Sequence, residues 1–191
     1  MAQTDHNHIS SIQLGSASTT ITFSNFGGYK DLLIIGNAWY NGNSNQTRDV
    51  YMQFYNSSGW NQSYYNSIHM KADQGSVTGG SHYNNNPGMR CGKINDFRNA
   101  WGQNNTSGWC PIVVGIGNYA DTNMVPNVWY QSTAFGWTKN TNSPRDSHIG
   151  TGTGGTSMSS RTSAITQVRF YASSGSFHTG TYLSMYGINY S

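Results

Sequence analysis

In several short blocks of this chain, apolar side chains recur at every second position, and each block is closed by residues that favour turns. In TTITFSNF, Ile21 and Phe23 share one face, with Thr20, Thr22 and Ser24 on the other. In RDVYMQFYN, Val50, Met52 and Phe54 point one way, and Tyr51, Gln53 and Tyr55 the other. TYLSMYGI sets Leu183 and Met185 against Tyr182, Ser184 and Tyr186, and SAITQVRFY turns Val168 and Phe170 inward and Gln167 and Arg169 outward. This is the period of a pleated strand with one buried face. DLLIIGNAWY and PIVVGIGNY instead carry consecutive apolar residues, as strands do when buried on both faces or central in a sheet. Four further candidates run from Ile9 to Leu14, Tyr64 to Met70, Met89 to Phe97, and Val128 to Trp137.

Helices are disfavoured by what the chain lacks. It contains no glutamate and only four leucines in 191 residues. Those side chains lose little entropy in a helix, so a helical bundle is excluded. Glycine, asparagine, serine and threonine punctuate the blocks, as at Gly27-Gly28, Asn41-Gly42-Asn43, Gly79-Gly80 and Gly150 to Gly155. The predicted fold is all-β: an antiparallel two-sheet sandwich, jelly-roll-like, of about nine or ten strands. No shift in composition divides the chain, so residues 1–191 form a single domain, with 1–8 as an extended N-terminal arm. The stretch from Ser143 to Arg161 reads as its longest loop.

Charge narrows the function. Only 9% of residues are charged, the net charge is +3, and the densest basic group is Arg90, Lys93 and Arg98. A nucleic-acid-binding surface needs a denser footprint, so no nucleic-acid partner is expected. The longest apolar run, Leu32 to Ile35, is far short of a membrane span. The opening residues, MAQTDHNHIS, hold no apolar signal region, which places folding in a cytoplasm. There Cys91 and Cys110 read as buried thiols; whether they pair depends on whether their strands are neighbours.

Patterns that imitate catalytic motifs fail on context. Gly115-Ile116-Gly117-Asn118-Tyr119-Ala120 resembles a dinucleotide fingerprint, but Asp121 to Pro126 cannot supply the helix that would hold a pyrophosphate. Gly150, Gly152 and Gly155 repeat that spacing within a Gly/Thr/Ser stretch. Asp5, His6 and His8 give too few fixed ligands for zinc, and Asp121 with Asn123 lacks the alternating acids of a calcium loop. Neither metal nor cofactor is expected. Glycoside hydrolysis needs two carboxyl groups to converge in one groove, and the seven acids are isolated Asp residues placed mostly at turns. The chain reads as no enzyme.

Aromatic residues are the remaining signal, at 14% of the chain. Trp60, Tyr64 and Tyr65 fall near one turn, and Trp101 and Trp109 flank Asn104-Asn105. Exposed rings beside amides stack on sugars while the amides bond hydroxyls; the same rings suit a protein–protein contact, or fill a core.

Taken in order, the blocks resemble a family of small virion proteins from tailed bacteriophages. The resemblance is carried by Ile12-Gln13-Leu14-Gly15-Ser16, Ile21 to Phe26, Tyr29-Lys30-Asp31-Leu32-Leu33-Ile34 and Val50 to Ser57. It continues through Val114-Gly115-Ile116-Gly117-Asn118-Tyr119, Ala164 to Phe170, and Phe177 to the closing Tyr186-Gly187-Ile188. Each motif is short, and their order carries the weight. The chain departs from the family in the loop before Ile165 and in the Gly27-Gly28-Tyr29-Lys30-Asp31 turn, where relatives usually carry a proline. The resemblance implies a sandwich on the particle exterior, in the tail or decorating the head, assembled in the host cytoplasm and without catalytic residues. The expected partners are copies of itself, with a homotrimer the leading arrangement, other virion proteins and host surface glycans.

Overall fold

The computed structural model describes residues 4–41, 47–57, 59–60, 65–73, 76–82, 88–95, 109–133, 147–153 and 164–190. Among them are fourteen strand segments and no helix: β1 (Thr4–Gln13), β2 (Thr20–Ser24), β3 (Asp31–Asn41), β4 (Thr47–Asn56), β5 (Gly59–Trp60), β6 (Asn66–Asp73), β7 (Ser76–His82), β8 (Met89–Asn95), β9 (Trp109–Gly117), β10 (Asn127–Thr133), β11 (Ser147–Thr153), β12 (Gln167–Ala172), β13 (Ser176–Phe177) and β14 (Tyr182–Tyr190). The longer sheet has the order β1-β14-β3-β9-β10-β11-β6-β7, with β13 also on β3. The shorter sheet runs β2-β12-β4-β5, with β8 sharing the free side of β4. Every pairing is antiparallel.

Eight of these strands wind as a jelly roll. Taking β1, β2, β3, β4, β8, β9, β12 and β14 in chain order, one sheet reads first–eighth–third–sixth and the other second–seventh–fourth–fifth. This is the double Greek key of that fold. The hairpin β6–β7 is inserted between β4 and β8, and β10–β11 between β9 and β12; β11 pairs with β6, so the two insertions extend the longer sheet together.

The alternating blocks place their apolar side chains between the sheets. Ile21, Phe23, Met52, Phe54, Val168 and Phe170 from the shorter sheet meet Leu32, Ile34, Val114, Ile116, Leu183 and Met185 from the longer one, all buried. Burying each such side chain contributes roughly 1.5–3 kcal/mol, which fixes the register, since a slip of one residue would expose the whole set. Cys91 and Cys110 lie in this core as thiols not joined by a disulfide, and burial pushes the Cys91 thiol well above its ordinary value.

Three features differ from the sequence reading. The segment expected as an N-terminal arm over 1–8 is, from Thr4, the edge strand β1, hydrogen-bonded along β14 from Thr4↔Tyr190 to Gln13↔Tyr182. Part of the stretch from Ser143 to Arg161, expected as loop, is β11, with Gly150 and Gly152 inside the strand. β3 is central in its sheet as its apolar run implied; over residues 31–39 Leu32, Ile34 and Ala38 are buried, and Ile35 is 40% exposed on the other face.

Candidate binding face

The aromatic residues singled out by sequence do not form one site. Trp60 belongs to the outer face of the shorter sheet, where it is partly covered. Its ring meets Tyr55 edge-on at 5.2 Å between centroids, and the Arg169 guanidinium lies 4.0 Å from its centroid. Arg169 Nε donates to Gln53 Oε1 at 2.6 Å, Tyr51 stacks on Tyr171, and Arg90 pairs with Asp49 at 2.7 Å. The aromatic and charged groups of this face are largely engaged with one another.

Tyr65 is core, which corrects its selection as a contact residue: it is 3% exposed, and its ring packs 6.0 Å from that of Phe54. The reason lies in the ladder. Phe54 sits between the parts of β4 that pair with β5 and with β8, and its N–H donates to the Tyr65 hydroxyl at 2.9 Å. The phenol fills the gap and satisfies a buried donor. Burial raises its pKa well above the ordinary tyrosine value. Tyr64 and Trp101 lie outside the described residues. Trp109 begins β9, in register with Trp39 of β3.

The open surface is the outer face of the longer sheet. Register aligns Leu33, Gly115, Trp129, Thr151 and Ile68 in one row across β3, β9, β10, β11 and β6, and Ile35, Val113, Gln131, Ile149 and Met70 in the next. Ile35, Ile68, Met70 and Trp129 are 40–59% exposed, with Tyr182 of β14 at 42%. None of these positions carries a charged residue.

At the end of this face where β3 begins and β9 ends, a groove of about 660 Å³ opens. Its floor is Gly115 and Gly117, its sides are Trp129 and Asn127 against Asp31, and the turn carrying Asp121 closes one end. Glycine at 115 is required by the neighbour: a Cβ there would stand 2.0 Å from Trp129 Nε1 and 2.2 Å from Cε2, so the indole lies against bare backbone. Tyr29, also lining the groove, fills the space beside Gly187 in the same manner.

Asp31 Oδ1 accepts the N–H of Asn118 at 3.0 Å, where the backbone takes a left-handed φ of 57°, and Asp121 Oδ1 accepts the N–H of Asn123 at 2.6 Å. Two carboxylates therefore share one groove, an arrangement the isolated Asp residues of the sequence did not promise. Both shape the turn after β9, and both stay partly solvent-accessible. The glycine spacing that imitates a dinucleotide motif leads into turns and bends over 118–124 and then β10.

Further along the same face, Ser11, Ser184 and Tyr182 form a ring of hydroxyls. Ser184 donates to the Tyr182 oxygen at 2.6 Å, Tyr182 donates to Ser11 Oγ at 3.2 Å, and the serines stand 2.7 Å apart. Those hydrogen bonds lower the Tyr182 phenol below its ordinary value. His8 Nε2 lies 2.8 Å from Ser11 Oγ, and its ring packs edge-on against Tyr186. No carboxylate orients that ring among the described residues, so the pair lacks the third member of a nucleophilic triad. Nor does any group of three or more His, Cys, Asp or Glu stand together there to hold a metal. No protein-family model, curated protein or solved structure matches the chain.

Proposed function

We propose that this chain is a non-enzymatic structural protein on the exterior of a bacteriophage particle, a knob, cap or cement piece that works through contacts with copies of itself and with other virion proteins. The order of the strand motifs supports the phage assignment. The observation that carries the mode of action is the outer face of the longer sheet, where Ile35, Ile68 and Met70 stand exposed with no charge between them. Apolar surface of this kind mostly marks interaction sites. The two rows that carry these residues hold no charged side chain, so they meet their own copy without like-charge conflict. A trimer is the arrangement proposed.

The test is the solution mass by light scattering, expected at three times the 21.0 kDa of one chain, combined with mass spectrometry of purified particles. A strict monomer at micromolar concentration, absent from particles, removes the proposal. Copy number per particle then separates a head-decorating piece from a tail piece.

A second reading, a carbohydrate-binding module for host recognition, is favoured by one observation: a half-exposed tryptophan, Trp129, beside the amide of Asn127 and the carboxylate of Asp31. It moves the sugar contact from the shorter sheet, where Trp60 is engaged by Arg169, to the longer one.

A further inference from the structure

We infer that the groove over Gly115 and Gly117 binds one ring of a neutral pyranose, with Trp129 as the stacking platform. The inference rests on the carbohydrate-binding reading and names its site and ligand class. Three features lead to it.

The first is the platform. Half of the Trp129 surface is open to water, on a strand whose inward neighbours Val128 and Tyr130 are sealed in the core. The indole is held from below, because Gly115 leaves it the space a side chain would take. A rigid ring fixed in this way presents large area at little entropic cost on binding.

The second is the polar set around it. Sugar hydroxyls need both donors and acceptors at fixed positions. The Asn127 amide supplies both, and Asp31 and Asp121 supply acceptors whose orientation is set by backbone N–H groups at 3.0 and 2.6 Å. Acceptors held before the ligand arrives cost little to order. Two carboxylates against the single Lys30 at the rim disfavour anionic sugars, which is why a neutral ring is specified.

The third is shape. Gly115 gives its space to the indole, and Gly117, where a Cβ would stand 3.6 Å from Asp31 Oδ1 and from the Asn127 carbonyl oxygen, is the bare backbone left beside it. The volume, about 660 Å³, lies within the range of small-molecule sites. The groove stands at one end of the sheet, while Ile35 and Met70 lie a row further along, so a sugar and a neighbouring subunit need not compete.

The test is a nuclear magnetic resonance titration of the full chain with N-acetylglucosamine, methyl galactoside, methyl glucoside and methyl mannoside, and with sialyllactose as the anionic comparison. Saturable shifts are expected for at least one neutral sugar, centred on the Trp129 indole N–H and the backbone of Gly115 and Gly117, and weaker shifts for sialyllactose. Trp129→Ala should weaken binding at least tenfold with the spectrum of the fold retained, and Trp60→Ala should leave it unchanged. Asn127→Ala provides a second variant should Trp129→Ala fail to fold. Binding that survives both groove variants overturns the site while leaving the carbohydrate reading intact. An absence of shifts with all five probes overturns the inference, and the mass measurement on the same samples still decides the structural role.

Discussion

The outer faces of the two sheets use similar residues and reach opposite states. On the shorter sheet Trp60, Tyr55, Tyr51 and Tyr171 are matched to Arg169, Gln53, Arg90 and Asp49, and Gln53 is left only 2% exposed. On the longer sheet Trp129, Ile35, Ile68 and Met70 stand in the open beside glycine and amide residues. A ring is therefore informative through what surrounds it: one indole is packed against an arginine, and the other lies half-exposed over a glycine.

The sharpest way to probe this contrast is to remove what seals the closed side from beneath. Phe170→Ala, in the core under Arg169 and Tyr171, should destabilise by about 3–5 kcal/mol in urea unfolding. A loss under about 1 kcal/mol would mean the sheets are not tightly joined. Alkaline pH comes next, because several buried groups act together. Burial raises Cys91, Tyr65, Tyr171 and Tyr51 above their ordinary values of 9.0 for the thiol and 10.0 for the phenols. The unfolded chain therefore releases these protons first. Stability held below pH 9 should fall as pH rises through 10 and beyond, measured as thermal midpoint against pH. In the folded protein, ultraviolet titration should find Tyr182 ionising ahead of Tyr51 and Tyr171.

Arg169→Ala on the closed face should cost about 1–3 kcal/mol, since it strands the buried Gln53 amide and uncovers Trp60. The smallest stability effect is expected on the open face. Ile35→Asn with Met70→Ser should change unfolding free energy by about 0.5 kcal/mol each or less and yet lower the solution mass. A stability loss like that of Arg169→Ala would show that this face is packed within the monomer and is no surface for partners.

Much of the architecture was legible because period two survives in sequence. Ile21/Phe23, Val50/Met52/Phe54, Val168/Phe170 and Leu183/Met185 all turn inward as their spacing requires. β7 and β11 were not, because Ser76–His82 and Ser147–Thr153 are rich in glycine, serine and threonine and become strands through pairing, β7 with β6 and β11 with β6 and β10. Alternation also states that a strand has two faces without stating which is covered; the consecutive run at β3 fitted either burial on both faces or a central place in a sheet, and the strand is central with one face open. The groove had one signal available, Gly115 and Gly117 two apart in a strand. They were legible as a failed cofactor motif, and only the register with β10 reveals that Trp129 occupies the space Gly115 leaves, with Asn127 and Asp31 beside Gly117.

The pairing of β1 along β14 has a consequence for how the protein is made. During synthesis β1 emerges first and finds no partner, because the strand it needs, joining it to β3, is translated long afterwards. Until then β3 shows the solvent an unpaired flank, a template for mispairing with a neighbouring nascent chain. Completion of the longer sheet is thus a late event, and slow translation, which lengthens the exposure of that flank, should lower the yield of correctly closed molecules.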